Sequence, residues 1–459
     1  MIKLLNRALG LISVLILLAS LNSCENLIDT DTPINQINAT QVFESVSTAD
    51  AALSNLYTEI QSYSFVSGDN SGAGALLGTY TDELYCFNET QNNDQDIYNN
   101  IQGPYNSRIA SVWSSAYKEI YLANALIEGV TASSTIGQSD KDRIKGEALF
   151  LRSLVYFYLT EIFGEVPYTT TTNYVINQSI GKISTAELLI NIEENLQTAS
   201  VLLDDNYRNS ERIYPNRSAC KLLLATVLTS QNKWSQAELI LTEIIQSPNY
   251  NWQPDLSKTF IKSSRHILWQ LKPLKNGNAT NEALLYNFTT TIPNTFSLSD
   301  NLVASFSPTD LRKQVWIKEL TINQKKYYRP NKYKNTVNNS DEYSIVFRLE
   351  EAYLLLAESL VQQNRVQEAL PYLNAVKLKA GITSITSILK DQVLTEILTE
   401  YRKEFFTEKG IRFLSLKRIG RLDDLKSEKP NWKEFHQYWP LPNNELILNP
   451  NLNPQNNGY

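Results

Sequence analysis

Residues 347–381 read FRLEEAYLLLAESLVQQNRVQEALPYLNAVKLKAG. This stretch contains two apolar patterns of helical spacing. Ala357 and Ala369 lie 12 positions apart, where the two helices of a tetratricopeptide hairpin touch and small side chains are needed. The larger apolar residues of the pattern are Tyr353, Leu356, Leu360, Leu373 and Val376. The stretch therefore predicts a helix hairpin.

The same pattern occurs earlier in the chain. Ala225 and Ala237 are also 12 positions apart. The apolar residues around them are Leu224, Leu228, Leu241 and Ile244, with Pro248 closing the unit. The copies are separated by 132 residues, so they are interrupted repeats and not one continuous solenoid. The chain is predicted to be mostly α, with about four tetratricopeptide-like helix pairs as a scaffold.

Further helices are predicted by apolar spacing elsewhere. One begins near Thr48, and others are predicted over residues 112–128, 141–163 and 185–203 and from Pro215 to Gln231. By contrast, residues 62–107 and 249–345 show little regular period, and we expect long irregular loops there. Irregular stretches of such length in a compact protein are usually functional or contain short elements that the pattern does not reveal.

The first 23 residues, MIKLLNRALGLISVLILLASLNS, have the features of a secretion signal. Two basic residues precede an apolar run from Ala8 to Leu18, which is too short to span a bilayer. The run is followed by Leu21-Asn22-Ser23-Cys24, which resembles the lipobox at which bacterial lipoproteins are cut and acylated. We therefore expect a signal peptide over residues 1–23, acyl chains on Cys24 that anchor the protein in a membrane, and a polar tether over residues 24–40.

Composition argues against several classes of function. Residues 1–23 carry two of the 42 basic residues and none of the 48 acidic ones, which leaves 40 basic and 48 acidic residues and a charge of −8. That balance argues against a nucleic-acid partner, whose binding needs clustered lysine and arginine. With only His266 and His436 and no C-x-x-C motif, no metal site or cofactor is expected. No catalytic motif was found, so the sequence does not predict an enzyme.

Two further patterns are interpreted as structural. Cys86 and Cys220 could form a disulfide in an exported protein, but we expect two buried thiols. Residues 92–96, NNDQD, faintly resemble a calcium loop. They lack the glycine and the distal glutamate of that motif, so a solvated turn is the expected structure.

Four stretches in a fixed order carry a resemblance to a known family. They are residues 146–167, from GEALFLRS to FGEVP; residues 347–381; residues 397–420, ILTEYRKEFFTEKGIRFLSLKRIG; and the tail, residues 440–459. Together with the lipobox and Asp31-Thr32-Pro33, this order is similar to that of the SusD/RagB family of outer-membrane nutrient-binding lipoproteins. The chain departs from the family pattern in scaffold motifs at three positions, Tyr401, Ser415 and Asn457.

Charged residues within these stretches are predicted to be structural. They are Arg348, Glu350, Glu358, Arg402, Glu404 and Arg412. We interpret them as buried or half-buried ion pairs between packed helices. Removing one partner of such a pair typically destabilises a protein by about 3–5 kcal/mol, so substitution is expected to impair folding and not to remove an activity selectively.

The resemblance implies a division of labour within one intertwined globular unit, whose N- and C-terminal parts are residues 41–250 and 251–459. In this family the helical scaffold docks on a TonB-dependent, SusC-like barrel of the outer membrane. The irregular portion binds a nutrient, most often an oligosaccharide and sometimes a peptide, and the protein closes over the transporter as a lid. The resemblance thus implies a non-catalytic, lipid-anchored protein that faces the cell exterior. The alternative is a tetratricopeptide lipoprotein that assembles envelope proteins and binds no nutrient.

A saccharide site needs flat apolar faces beside amides and carboxylates, and the two irregular stretches concentrate such residues. The candidate ligand-binding residues are Tyr80, Asp82, Tyr85, Asn88, Tyr98, Trp316 and Tyr327. Aromatic residues on the predicted helices are expected in the core instead. These are Trp113, Tyr117, Tyr121, Tyr156 and Tyr158. No motif identifies the site, because binding residues in the family vary with the substrate.

Overall fold

The computed structural model describes Met1, residues 39–87 and residues 92–459 of the chain. Cys24, Asn88, the signal peptide and the tether up to residue 38 therefore lie outside the described residues. Helices dominate this part of the chain. They are α1 (Ala39–Val42), α2 (Val46–Tyr63), α3 (Ala73–Tyr80), α4 (Asn92–Tyr98), α5 (Ser107–Ala132), α6 (Gln138–Phe163), α7 (Tyr174–Asn177), α8 (Thr185–Leu202), α9 (Arg217–Ser230), α10 (Trp234–Gln246), α11 (Asn281–Tyr286), α12 (Asp300–Ser305), α13 (Leu311–Trp316), α14 (Leu349–Gln362), α15 (Val366–Lys379), α16 (Lys390–Phe405), α17 (Ile411–Ile419) and α18 (Asn443–Leu448).

Short strands form four two-stranded antiparallel sheets in the described residues. The strands are β1 (Leu84–Cys86), β2 (Val166–Pro167), β3 (Lys182–Ile183), β4 (Ile267–Leu271), β5 (Phe296–Leu298), β6 (Ile317–Ile322), β7 (Lys325–Pro330) and β8 (Ser344–Arg348). The pairs are β1–β5, β2–β3, β4–β8 and β6–β7. Asn323 and Gln324 connect β6 to β7 with positive φ angles of 51° and 64°, as a two-residue hairpin turn requires.

Four helix pairs form the scaffold and confirm the predicted fold class. They are α2 with α5, α6 with α8, α9 with α10, and α14 with α15. The last two are the hairpins predicted from the alanine spacing, and all four alanines are fully buried. Each hairpin turns at an asparagine in the left-handed conformation, Asn232 (φ 58°) and Asn364 (φ 62°). α10 packs against α14, so the two copies are neighbours despite their separation in sequence.

The expectation of loops over residues 62–107 and 249–345 is wrong in part, because both stretches contain short elements. α3, β1 and α4 lie in the first stretch, and the second contains strands β4 to β8 and helices α11 to α13. α3 is buried all round, so its sequence AGALLGTY has no polar face to reveal a helical period. Residues 92–98, which include the expected solvated turn, form α4. Asp94, within that segment, is salt-bridged to Arg108 at 2.8 Å.

Two apolar cores hold the chain together. The larger one lies between the helix pairs and continues into the C-terminal segment. The smaller one is formed mostly by residues from the middle of the sequence. Its members include Leu84, Phe260, Phe296, Trp316 and Tyr333. The middle segment thus packs around a core of its own.

Buried ion pairs join the elements, as predicted from the charged residues of the signature stretches. Arg348 lies 2.6 Å from a carboxylate oxygen of Glu404 and 3.3 Å from one of Glu350. Arg418 forms a bidentate contact with Glu358, with both distances at 2.7 Å. Since all of these side chains are almost completely buried, each charge depends on its partner for solvation.

The two cysteines of the described residues are thiols. Cys86 and Cys220 form no disulfide with each other there, and the buried Cys220 thiol donates to the carbonyl of Leu196 at 3.4 Å. Cys86 is only half-buried, so the expectation of two buried thiols holds for Cys220 alone. Within residues 39–87 and 92–459, no helix is both long and apolar enough to cross a membrane.

Candidate functional site: an aromatic shelf

Four aromatic side chains from three segments lie beside the smaller core. Tyr85 lies on β1 and Phe87 directly follows it, Tyr98 ends α4, and Tyr328 lies on β7. β5 brings these segments together, because it pairs with β1 and packs against β7, while α4 packs against β1. All four side chains are half-buried, so part of each ring is accessible. We name these four residues the aromatic shelf.

Carboxylate and amide groups border the shelf. The Tyr85 hydroxyl lies 3.4 Å from Oδ2 of Asp300, and Asn301 Nδ2 donates to Glu428 at 2.9 Å. Burial raises the pKa of the Tyr98 hydroxyl, and the nearby Tyr85 and Glu428 raise it further. Flat apolar faces and hydrogen-bonding groups therefore occur on the same rim, which is the combination that a saccharide needs.

A buried lysine holds Tyr98 in place. Lys429 Nζ donates to the carbonyls of Thr79 and Tyr98 at 2.6 and 2.7 Å, and it lies 3.9 Å from the centre of the Tyr98 ring. Burial lowers the pKa of the Lys429 ammonium to about 7. A cation at this distance stabilises one ring orientation through the aromatic quadrupole. Tyr98 is thus preorganised by residues from the C-terminal segment.

Asp82 lies two residues before β1 and forms ion pairs with two arginines. Its carboxylate lies 3.0 Å from the Arg412 guanidinium and 3.1 Å from that of Arg402. Burial opposes its ionisation, but the two arginines outweigh burial and lower the pKa of Asp82. Arg402 also donates to Oδ1 of Asn301 at 2.7 Å. The predicted ion pairs of Arg402 and Arg412 are therefore confirmed, with Asp82 as their partner.

The structure brings together three of the predicted ligand-binding residues. Tyr85 and Tyr98 belong to the shelf, and Tyr327 is buried next to Phe87, with the two ring centres 5.9 Å apart. Asn88 lies outside the described residues.

The prediction of ligand contact is wrong for the other three residues, because their side chains are buried. The exposed fractions of Tyr80, Asp82 and Trp316 are 0%, 6% and 1%. Tyr80 packs edge-on against Trp432, and its hydroxyl donates to the carbonyl of His436 at 2.8 Å. The Trp316 indole donates to the carbonyl of Leu256 at 3.0 Å. The sequence predicts loops at Tyr80 and Trp316, but these residues end the short helices α3 and α13.

Several groups around the shelf were missed by the sequence-based prediction. Asp300, Asn301, Glu428 and Lys429 reach the shelf from segments more than 200 residues away from β1. No local pattern marks them, because their role depends only on long-range contacts. No cluster of three or more His, Cys, Asp or Glu side chains is placed to hold a metal ion within the described ranges.

Known protein families match the chain over most of its length. Residues 27–228 match a SusD-like family described as "Starch-binding associating with outer membrane", and residues 294–459 match the family described as "SusD family". The SusD-like protein P2 of Formosa agariphila is 22% identical over 511 aligned positions, which cover 98% of this chain and 99% of that protein.

Solved structures share the fold. A SusD superfamily protein from Bacteroides vulgatus superposes with a TM-score of 0.79 at 18% identity, covering 91% of this chain and all of that one. The surface glycan-binding protein A from Bacteroides thetaiotaomicron, in complex with laminarihexaose, gives a TM-score of 0.76 at 17% identity, covering 90% of this chain and 99% of that one. From these matches and the predicted scaffold, the chain belongs to the SusD/RagB family.

Proposed function

We propose that this protein is a lipid-anchored, outer-membrane glycan-binding protein that delivers an oligosaccharide to a TonB-dependent, SusC-like transporter. The observation that carries the proposal is the aromatic shelf in a member of the SusD/RagB family. A similar fold binds laminarihexaose in the Bacteroides thetaiotaomicron protein, which supports a glycan as the ligand.

The chemistry of the shelf suits the binding of a glycan. Hydrolysis of a glycoside normally uses two carboxyl groups that face one bond. Next to the shelf, Asp82 is held ionised between two arginines, and Glu83 is buried under it. Neither carboxyl is presented to a ligand on the shelf. The accessible groups are ring faces, an amide and the carboxylates of Asp300 and Glu428. Ring faces stack on sugars, and the polar groups form hydrogen bonds with their hydroxyls.

Removing the shelf rings is expected to weaken glycan binding. In the double variant Tyr85→Ala/Tyr98→Ala, each lost stacking face should reduce affinity by about tenfold. Titration calorimetry against laminarihexaose and an array of oligosaccharides measures the effect. Tyr63→Ala is the matched control, because Tyr63 is an exposed tyrosine on α2 outside the shelf. Unchanged affinity in the double variant would contradict the shelf as the site.

The anchor and the transporter partner are tested in cells. Replacing Cys24 by alanine should release the protein from the membrane fraction, since acyl chains supply the attachment. Affinity-tagged wild-type protein, solubilised gently, should co-purify with a large barrel protein. Co-purification with other envelope proteins and no response to any glycan or peptide would instead favour the alternative, an assembly lipoprotein without nutrient binding.

A further inference from the structure

A second groove lies along α5, and it shares no residue with the aromatic shelf. Its volume is about 500 Å³, and its walls are α5, the segment of residues 167–180, and the C-terminal segment around α18. Its principal lining residues are Trp113, Tyr117, Tyr121, Tyr174, Glu445 and Leu448. We name it the α5 groove. Nothing in the proposed function uses it.

Side chains form hydrogen bonds with the backbone of the wall at residues 167–180. Four carbonyl oxygens accept hydrogen bonds: Pro167 from the Tyr117 hydroxyl at 2.8 Å, Thr169 from Asn124 at 3.1 Å, Thr171 from Asn177 at 2.7 Å, and Ile180 from Asn449 at 2.9 Å. Glu128 also accepts from the backbone N–H of Thr172 at 3.1 Å. The groove is therefore preformed, and a ligand pays little entropy to order it.

These hydrogen bonds also bear on which ligand fits. A peptide that binds by strand addition needs a row of free backbone groups along the wall. Here the carbonyls of Pro167, Thr169, Thr171 and Ile180 already have donors. Recognition is left to side chains, namely ring faces, hydroxyls and amides.

The charge of the lining argues for an uncharged ligand. Among the described residues that line the groove, Glu445 is the one ionisable acid, and no lysine or arginine is present. Burial raises the pKa of the Glu445 carboxyl. A sulfated or carboxylated ligand would find no cation there. A neutral ligand needs no cation, so the absence of lysine and arginine from the lining does not weaken its binding.

Two tyrosines stand at the rim with large apolar faces in water. The exposed fractions of Tyr121 and Tyr174 are 52% and 74%, so the expectation that Tyr121 is a core residue is wrong. Deeper in the groove, the rings of Trp113 and Tyr117 lie 4.9 Å apart. Leu448 adds exposed apolar surface opposite them on α18. Accessible rings next to amides and hydroxyls match the C–H faces and hydroxyls of pyranoses.

We infer that the α5 groove is a second saccharide-binding site, which takes a neutral pyranose segment by stacking on Tyr121 and Tyr174. This inference goes beyond the proposed function, which needs only the shelf. Two sites on one protein bind a long chain with higher avidity than either site alone, provided that the chain spans both.

The test separates the two sites by variants. In protein that already carries Tyr85→Ala/Tyr98→Ala, binding of laminarihexaose or another neutral glycan of the array should persist. Adding Tyr121→Ala/Tyr174→Ala should lower this remaining affinity by about tenfold or more, measured by calorimetry. Both tyrosines are exposed, so the melting temperature should stay unchanged. Tyr63→Ala, added to the same background, is the matched control.

Three results would overturn the inference. The groove variant could bind every neutral glycan of the array as the background protein does. It could lose affinity for a peptide or an acidic oligogalacturonate and keep its affinity for neutral glycans. It could keep its glycan affinity but lose co-purification with the barrel protein, which would make the groove a protein interface. A failure of the shelf gives a different pair of results. The Tyr85→Ala/Tyr98→Ala protein would then keep the wild-type affinity. Binding would disappear only after Tyr121 and Tyr174 are replaced as well.

Discussion

Asp82 and Glu83 are neighbours in sequence, but only Asp82 reaches two guanidinium groups. Glu83 is buried, one of its carboxyl oxygens lacks a partner among the described residues, and the other accepts from the Thr407 N–H at 3.3 Å. Burial raises the pKa of Glu83 to about 7, and the charge of Asp82 adds to the effect. Two adjacent acids thus have opposite pKa shifts because their surroundings differ.

This difference predicts a pH-dependent effect of Glu83→Gln. Between its unfolded value of about 4.5 and about 7, wild-type Glu83 binds a proton in the folded state that it releases on unfolding, so the wild type loses stability as pH rises through this window. Glutamine cannot ionise. The variant should therefore gain stability relative to the wild type between pH 5 and pH 8, by at most about 3 kcal/mol.

Urea unfolding at several pH values measures this difference. Glu165→Gln is a suitable control, because Glu165 is an exposed acid at the turn after α6. Its difference from the wild type should stay nearly constant with pH. A constant difference for Glu83→Gln as well would show that Glu83 is ionised throughout.

At the scale of elements, α3 fits tightly against the turn that precedes α17. A Cβ on Gly74 would lie 2.3 Å from the carbonyl oxygen of Thr407, closer than atoms can approach. Thr407 belongs to a turn with positive φ angles at Thr407, Lys409 and Gly410, so its backbone has little room to move. The glycine permits α3 to pack in the core beneath the shelf.

Gly74→Ala is therefore expected to destabilise the protein by about 1–3 kcal/mol, because either α3 or the turn must shift. Thermal unfolding followed by circular dichroism should show a lower melting temperature. Gly103→Ala is the matched control, since a Cβ there meets nothing within 4 Å and Gly103 does not have a positive φ. Equal melting temperatures for the two variants would contradict the tight packing of α3.

At the scale of the whole molecule, the C-terminal tail returns to the N-terminal helices. The backbone N–H of Trp439 donates to Ile162 and Asn456 Nδ2 donates to Phe163, both at 2.7 Å, which closes the end of α6. α10 packs against α14, which adds a second contact between the two parts of the chain. One intertwined unit, with parts 41–250 and 251–459, stays a prediction, and these contacts between the two parts are consistent with it.

A fragment of residues 41–250 is consequently expected not to fold alone. It would expose the face of α10 that packs on α14 and the end of α6 that binds the tail. Near-ultraviolet circular dichroism should show no fixed aromatic packing, and heating should show no cooperative transition. The chain from residue 41 to residue 459 is the control. A sharp transition in the fragment would show two independent domains.

The helix hairpins are predictable from local sequence, because apolar spacing and paired alanines are features that occur within about 35 residues. The sequence also predicts which charged residues are buried as ion pairs, from their positions in the signature stretches. The tertiary structure alone decided which aromatics are accessible. Tyr80 is expected to be accessible but is buried, whereas Tyr121 is expected in the core but is exposed. The exposure of each depends on segments distant in sequence.

The shelf shows the same limit for the functional site. Tyr85 and Tyr98 could be proposed from composition, because tyrosine in a stretch without a helical period suggests an accessible ring. The partners of Asp82 and Tyr98 could not, because Arg412 and Lys429 lie about 330 positions further along the chain. Local spacing specifies helices, but a binding surface is made from contacts between distant segments, and only folding brings those segments together.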